Sequence, residues 1–153
     1  MTQLGLLRYY QGIFLACFLV DRITKYFAFH NLDKPIILSN FFSFHLVINK
    51  GIAWGLLYTT HVALFIVLSG CIIIAISILS AYTIIRWYNH HIIFGEILVL
   101  AGAFSNFFDR FLYGGIVDFI VFSYQEWFWP AFNIADSCIV LGAIVMLIFT
   151  IRK

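Results

Sequence analysis

Residues 62–85 read VALFIVLSGCIIIAISILSAYTII, twenty-four positions without one charged side chain. A bilayer core of ~30 Å is crossed by about 20 apolar residues in a helix, so this stretch is long enough to span it. The rest of the chain agrees. Of 153 residues 63% are hydrophobic, only 10% are charged and the mean hydropathy is +1.01, against roughly 45–50% apolar residues in an average soluble domain. A soluble fold of this size lacks the polar residues to cover so much apolar surface. The sequence is that of an integral membrane protein.

Working outward, three further stretches have the length of a span: 9–29, 92–112 and 131–151. The first carries Asp21, Arg22, Thr24 and Lys25 in its last third, the third ends on Asn106, Asp109 and Arg110, and the fourth begins with Asn133 and Asp136. The apolar run at the N-terminus continues past Leu15-Ala16-Cys17, which favours an uncleaved first span over a signal peptide. The expectation is an all-α membrane protein, one polytopic domain over 1–153 with four transmembrane helices. Four spans put both termini on the side of the short turn at Arg86–His91, with the longer connections, 30–60 and 113–130, opposite. Lys and Arg are nearly balanced between the sides. Six of the seven acids accompany the long loops, which leaves Arg8, Arg152 and Lys153 as the uncompensated charges and favours cytoplasmic termini.

Between Phe41 and Asn49 the period changes to two: Phe42, Phe44, Leu46 and Ile48 against Ser43, His45, Val47 and Asn49. The alternation predicts a small interfacial β-sheet or hairpin in the first outer loop, ending in a turn at Asn49-Lys50-Gly51.

Composition excludes several classes of function. A net charge of +2 from nine basic and seven acidic residues is too small a footprint for nucleic acid. Two prolines and ten glycines do not describe a disordered or collagen-like chain. Cys17, Cys71 and Cys138 lie in apolar runs without CxxC spacing and read as small core hydrophobes. No HExxH or GxSxG occurs, and the adjacent His90 and His91 diverge too far to clamp one zinc from a helix. No metal and no cofactor is expected.

Ionisable groups in membrane segments cost several kcal/mol unless paired or wetted, so they mark functional candidates. Here they cluster. Asp21 and Lys25 are i,i+4; Asn106, Asp109 and Arg110 share one face of the third stretch; Asn133 and Asp136 are i,i+3; Asp118 lies just beyond the third stretch. All fall at one depth, near the side of the long loops, and predict one polar pocket. Asp21 with Lys25, and Asp109 with Arg110, can be read as ion pairs that hold helices together, and the asparagines as interhelical hydrogen-bond glue. Four acids with only Arg22, Lys25 and Arg110 nearby leave at least one carboxylate without a cation.

At this point the residues resemble a family, lipoprotein signal peptidase (signal peptidase II), the bacterial membrane aspartyl proteases. Asp21-Arg22-Ile23-Thr24-Lys25 resembles its Asp-x-x-Thr-Lys. Asn49-Lys50-Gly51-Ile52-Ala53-Trp54-Gly55 is similar to Asn-x-Gly-x-Ala-Phe-Gly, with Trp54 for the usual Phe. Gly102-Ala103-Phe104-Ser105-Asn106-Phe107-Phe108-Asp109-Arg110 resembles Gly-Ala-x-Gly-Asn-x-x-Asp-Arg, with Ser105 where Gly is common. Val117-Asp118-Phe119 and Phe132-Asn133-Ile134-Ala135-Asp136 follow in order.

The resemblance implies Asp118 and Asp136 as the catalytic pair. Asn106, Arg110 and Asn133 would line the site, Asp21, Lys25, Asn49 and Gly51 would support it, and Asp109 would be structural, orienting Arg110. The implied partner is a diacylglyceryl-modified prolipoprotein, cut N-terminal to the lipidated Cys at the outer face of the bacterial plasma (inner) membrane. Membrane lipid is the surrounding partner and a monomer the expected state. The interfacial strand and the Trp54 loop would close over the substrate as a lid. The competing readings are a small proton-coupled transporter that uses the aspartates as a relay, and a structural membrane subunit. Against the first, the sequence has no internal repeat, and its polar cluster lies at one surface rather than the midplane.

Overall fold

The structure is a computed structural model that describes residues 2–51 and 61–151. Ile52, Ala53, Trp54 and Gly55 of the first-loop motif, with the lid expected there, and Arg152 and Lys153 lie outside the described residues. Elements follow in the order α1 (Gln3–Asn31), β1 (Ile36–Ser39), β2 (Phe42–Asn49), α2 (Val62–Tyr88), α3 (Phe94–Tyr113), β3 (Ile116–Tyr124), β4 (Trp127–Phe128) and α4 (Ile134–Ile151). The protein is therefore mostly helical with a small antiparallel sheet.

Among the described residues, α2 and α4 are the two helices long and apolar enough to cross a membrane, fewer than the four expected. The difference has a physical source: α1 carries Arg8, Asp21, Arg22 and Lys25, and α3 carries Glu96, Asp109 and Arg110. The distribution of polarity is nevertheless inverted relative to a soluble protein. Val62, Ile66 and Ile78 of α2 are exposed, while Asp21, Lys25, Asp109 and Asn133 are almost wholly buried.

Helix α3 packs against each of the other helices, and its buried side chains run down one stripe: Gly95, Gly102, Ser105, Asn106 and Asp109. Small residues set the approach of α4. A Cβ on Gly95 would stand 2.7 Å from the Gly142 carbonyl oxygen, and one on Gly102 would run into the Ala135 carbonyl and stand 2.9 Å from Ile139 Cγ1. Such backbone proximity is how helices associate where lipid removes the hydrophobic drive between them. Gly102→Val is expected to wedge α3 from α4 and lower the melting temperature in detergent by roughly 5 °C or more, which a thermal unfolding scan reads directly.

The sheet has the order β1-β2-β3-β4, so it belongs to both long loops and not to the first alone. The continuous run Ile116–Phe122, β-branched or aromatic apart from Asp118, is what makes β3. Nor does the expected strict alternation of β2 survive. Phe44 pairs with Ile120 but Val47 pairs with Asp118, so β2 holds one residue more than β3 between these pairs, a bulge. Partners across an antiparallel pair share a face. The extra residue therefore puts Val47 and Asn49 on the face of Phe42 and Phe44, whereas unbroken alternation would put them opposite. That face is also the face of Asp118. Chain reversal after α3 is made at Gly114, whose φ of +65° is left-handed and favours glycine. It delivers β3 directly from the end of α3.

Candidate active site

The polar residues expected at one depth converge. Their lowest layer joins α1 to α3. Lys25 Nζ lies 2.7 Å from Asp21 Oδ2 and 2.8 Å from Asp109 Oδ2, and donates to Asn106 Oδ1 at 2.7 Å. Its three protons thus have three acceptors. Arg22 is the second cation: its Nη1 pairs with Asp109 and donates to the Ser105 carbonyl at 3.2 Å. Two acids face two bases, which is how buried charge is tolerated away from water.

The expected Asp109–Arg110 pairing is not formed, and Asp109 does not orient Arg110. Neighbours on a helix point about 100° apart. Asp109 faces α1 and also accepts the Val117 N–H at 3.2 Å, while Arg110 donates to the Gly51 carbonyl and lies over the Phe65 ring. Gly51 is held in turn by its N–H, 2.9 Å from Asn49 Oδ1.

Above this layer stand Asp118 and Asp136, and neither makes an ion pair among the described residues. All four of their oxygens accept N–H groups instead. Asn133 Nδ2 donates to Asp118 Oδ1 at 2.7 Å and Asn49 Nδ2 to Asp118 Oδ2 at 3.0 Å. Asn106 Nδ2 donates to Asp136 Oδ1 at 2.8 Å, and the Asn133 backbone N–H to Asp136 Oδ2 at 3.2 Å. Because Lys25 claims the Asn106 oxygen, the Asn106 amide can present only its N–H to Asp136. Asn133 spans the pair: its side-chain oxygen accepts the Asp136 N–H at 2.8 Å. Asn133 and Asp136 are the first and fourth residues of a reciprocal cap on α4, which explains why the helix begins at Ile134 and fixes the Asp136 rotamer. Burial, and next the charge of Asp136, push the Asp118 carboxyl up from its ordinary value to about 7.

Asp136 opens onto a cleft of about 400 Å³ whose other walls are Trp129, Phe132, Ser137, Val140 and Leu141. An apolar cleft ending on a carboxylate that is bridged to a second suits an apolar chain with a scissile polar bond at its end. Among the described residues no group of three His, Cys, Asp or Glu is placed to hold a metal ion. The space between Asp21 and Asp109 is filled by the Lys25 ammonium.

A sequence model described as signal peptidase (SPase) II matches residues 13–152. The chain belongs to the signal peptidase II family. Its curated relatives include the lipoprotein signal peptidase of Teredinibacter turnerae, 36% identical over 152 residues that make up 95% of this chain and 88% of the relative. That of Clostridium novyi is 34% identical over 139 residues, 88% of this chain and 92% of the relative. A bacterial membrane enzyme solved by the in meso method at 2.3 Å superposes with a TM-score of 0.77 at 25% identity, covering 94% of this chain and 88% of that one. A second such structure, at 1.9 Å, gives 0.72 at 26% identity over 95% and 94% of the two chains.

In this signal peptidase II the motif residues Asp21, Lys25, Asn49, Asn106, Asp109, Asp118, Asn133 and Asp136 form one hydrogen-bonded network. Arg22 joins it from a position the motif leaves open and Ser105 from one where the motif commonly has Gly; sequence reasoning counted Arg22 only as a nearby cation and gave Ser105 no role. For Arg22 the available signal was the count of charges: with Lys25 alone, Asp21 and Asp109 would share one cation.

Proposed function

We propose that Asp118 and Asp136 are the aspartyl pair with which this signal peptidase II removes the signal peptide of a diacylglyceryl-modified prolipoprotein, on the N-terminal side of the lipidated Cys. One observation carries the reading: of the four clustered acids, these two alone make no ion pair among the described residues, and Asn133 bridges them where Asp136 meets an apolar cleft. Two adjacent carboxyls in a dry site share one proton. Asp118, its carboxyl raised to about 7, holds it up to near-neutral pH. Asp136 takes a proton from water, the water oxygen attacks the scissile carbonyl carbon, and Asp118 gives its proton to the carbonyl oxygen. Collapse of the tetrahedral intermediate returns the hydroxyl proton to Asp118 while Asp136 protonates the departing nitrogen. The C–N bond breaks to leave a carboxyl on the signal peptide and the free amine of the Cys. Asn106 and Asn133 keep the two acids in register, with Asp21, Lys25, Asn49 and Asp109 in support. Arg110 and Gly51 line the approach from β2.

The same reading places the enzyme in the bacterial plasma membrane as one four-span domain, a monomer with cytoplasmic termini and the pair near the outer face. Exposed apolar side chains along all four helices support it, with the Arg86–Glu96 pair at one end and most buried polar groups gathered at the other, the end of the aspartates. The acyl chains of the substrate hold its Cys at that depth.

The test is incubation of the purified enzyme in detergent with a prolipoprotein, with and without the diacylglyceryl group, and mass spectrometry of both products. Cleavage immediately before the modified Cys, absent from the unmodified precursor, is the expected result; a cut elsewhere, or none, overturns the proposal. kcat/KM is also expected to fall as pH rises through about 7. The acid that must donate loses its proton there in the free enzyme, so a kcat/KM profile flat from neutral to alkaline pH contradicts the role given to Asp118.

A further inference from the structure

We infer that Ser105 is a positioning residue for Asp136, acting through the carboxylate of Asp21; the inference rests on the aspartyl-pair reading above. A serine inside a helix commonly returns its hydroxyl to the carbonyl one turn back. Ser69, Ser77 and Ser80 of α2 do this, donating to Phe65, Ile73 and Ile76 at 2.8, 2.9 and 2.8 Å. Ser105, wholly buried in α3, instead donates across the helix interface to Asp21 Oδ2 at 2.6 Å.

The other oxygen of Asp21 accepts the Ala135 N–H at 2.7 Å. Ala135 is in the first turn of α4, immediately before Asp136, so Asp21 caps α4 from α1. The orientation of Asp136 toward the Asn106 amide therefore depends on how firmly the Asp21 carboxylate is held. Its Oδ2 has two holders, Lys25 and Ser105. Lys25 ends a flexible stem and is shared with Asp109 and Asn106. The Ser105 hydroxyl is short and has Asp21 as its partner, and the Ser105 backbone is itself tied to α1 through Arg22. Three helices meet at the Asp21 carboxylate, and the α3 hydroxyl that holds it comes from a position where the family motif commonly has no side chain. Ser105 does not reach the cleft, so its effect falls on the reacting geometry and not on substrate binding.

Steady-state cleavage of the diacylglyceryl-modified prolipoprotein by full-length Ser105→Ala and Ser105→Thr, with melting temperatures, tests this. Ser105→Ala removes the hydroxyl at almost constant volume. A kcat lower by about tenfold is expected, as small misplacements of catalytic groups cost 10²-fold or less, with KM within about twofold and the melting temperature within a few degrees. Ser105→Thr keeps the hydroxyl but adds a methyl to a filled site, so it should lose thermal stability and retain kcat. That crossed pattern is one that a purely structural serine does not produce. An alanine variant with wild-type kcat, or rates in both variants that follow their melting temperatures, overturns the inference. Failure of the wild type to cleave would instead overturn the peptidase reading.

Discussion

Asn in place of Asp118 or of Asp136 will leave a folded protein that cleaves prolipoprotein at least about a thousandfold more slowly, the loss expected when a positioned acid or base is removed. An amide cannot take a proton from water or pass one to the leaving nitrogen, yet it matches the carboxyl in shape. Fold is retained for a reason visible in the hydrogen bonds. Neither acid makes an ion pair among the described residues; Asp118 attracts the buried Arg110 only from beyond that range, so its replacement weakens a long-range attraction but breaks no direct charge contact. What each leaves is an amide facing an amide, Asn49 or Asn133 at position 118 and Asn106 or the Asn133 N–H at position 136, a cost of about 1–3 kcal/mol. At position 118 there is also a gain. With its carboxyl raised to about 7, the folded protein keeps a proton that the unfolded chain releases near pH 4. The Asp118 contribution to wild-type stability therefore falls as pH rises from about 4 to 7. Asp118→Asn removes that contribution. Single-turnover cleavage, helicity, detergent monodispersity and melting temperatures at pH 5 and 8 measure both effects. Either folded variant cutting within about tenfold of wild type would exclude that residue from catalysis.

The second large effect is on stability. Lys25→Met is expected to cost about 3–5 kcal/mol and to lower the melting temperature by roughly 10 °C or more. Methionine fills the space of the lysine stem but strips the ammonium from Asp21 and Asp109, which are buried and 2.7 and 2.8 Å away. Arg22 still answers Asp109; Asp21 is left with the Ser105 hydroxyl and the Ala135 N–H but no cation. The damage extends to the site, because Lys25 also fixes which end of the Asn106 amide faces Asp136. Lys34→Met, at an exposed lysine, is the control and should change stability by less than about 0.5 kcal/mol. A thermal scan showing equal, small shifts for both variants would mean that the charge layer does not hold the helices together.

Much of the site was legible as a pattern of cost. Charged and amide residues are expensive in apolar helices, so Asp21 with Lys25, Asn106 with Asp109, and Asn133 with Asp136 stood out by spacing alone, and these residues meet. The pairing of cations was not legible. Asp109 and Arg110 are adjacent in the chain, and only the facing of α3 toward α1 sends one to Lys25 and Arg22 and the other to Gly51. Ser105 was equally hidden: its neighbours in the chain say nothing about Asp21. The sheet was half legible. Alternation in Phe42–Asn49 announced a strand, but its partner β3 sits in a distant loop, and the bulge that turns Asn49 to the face of Asp118 has no local signature.

From its sequence alone this protein was determined to be a membrane protein with its polar residues at one depth, because hydropathy and helical spacing are local properties that burial in lipid must respect. Ordered motifs carried the family. Which carboxylates are paired with cations and which accept only N–H groups was decided only by the tertiary structure. Cations reach their partners across helix interfaces, and the distance between two helices is set by residues such as Gly95, Gly102 and Gly142, far along the chain from one another.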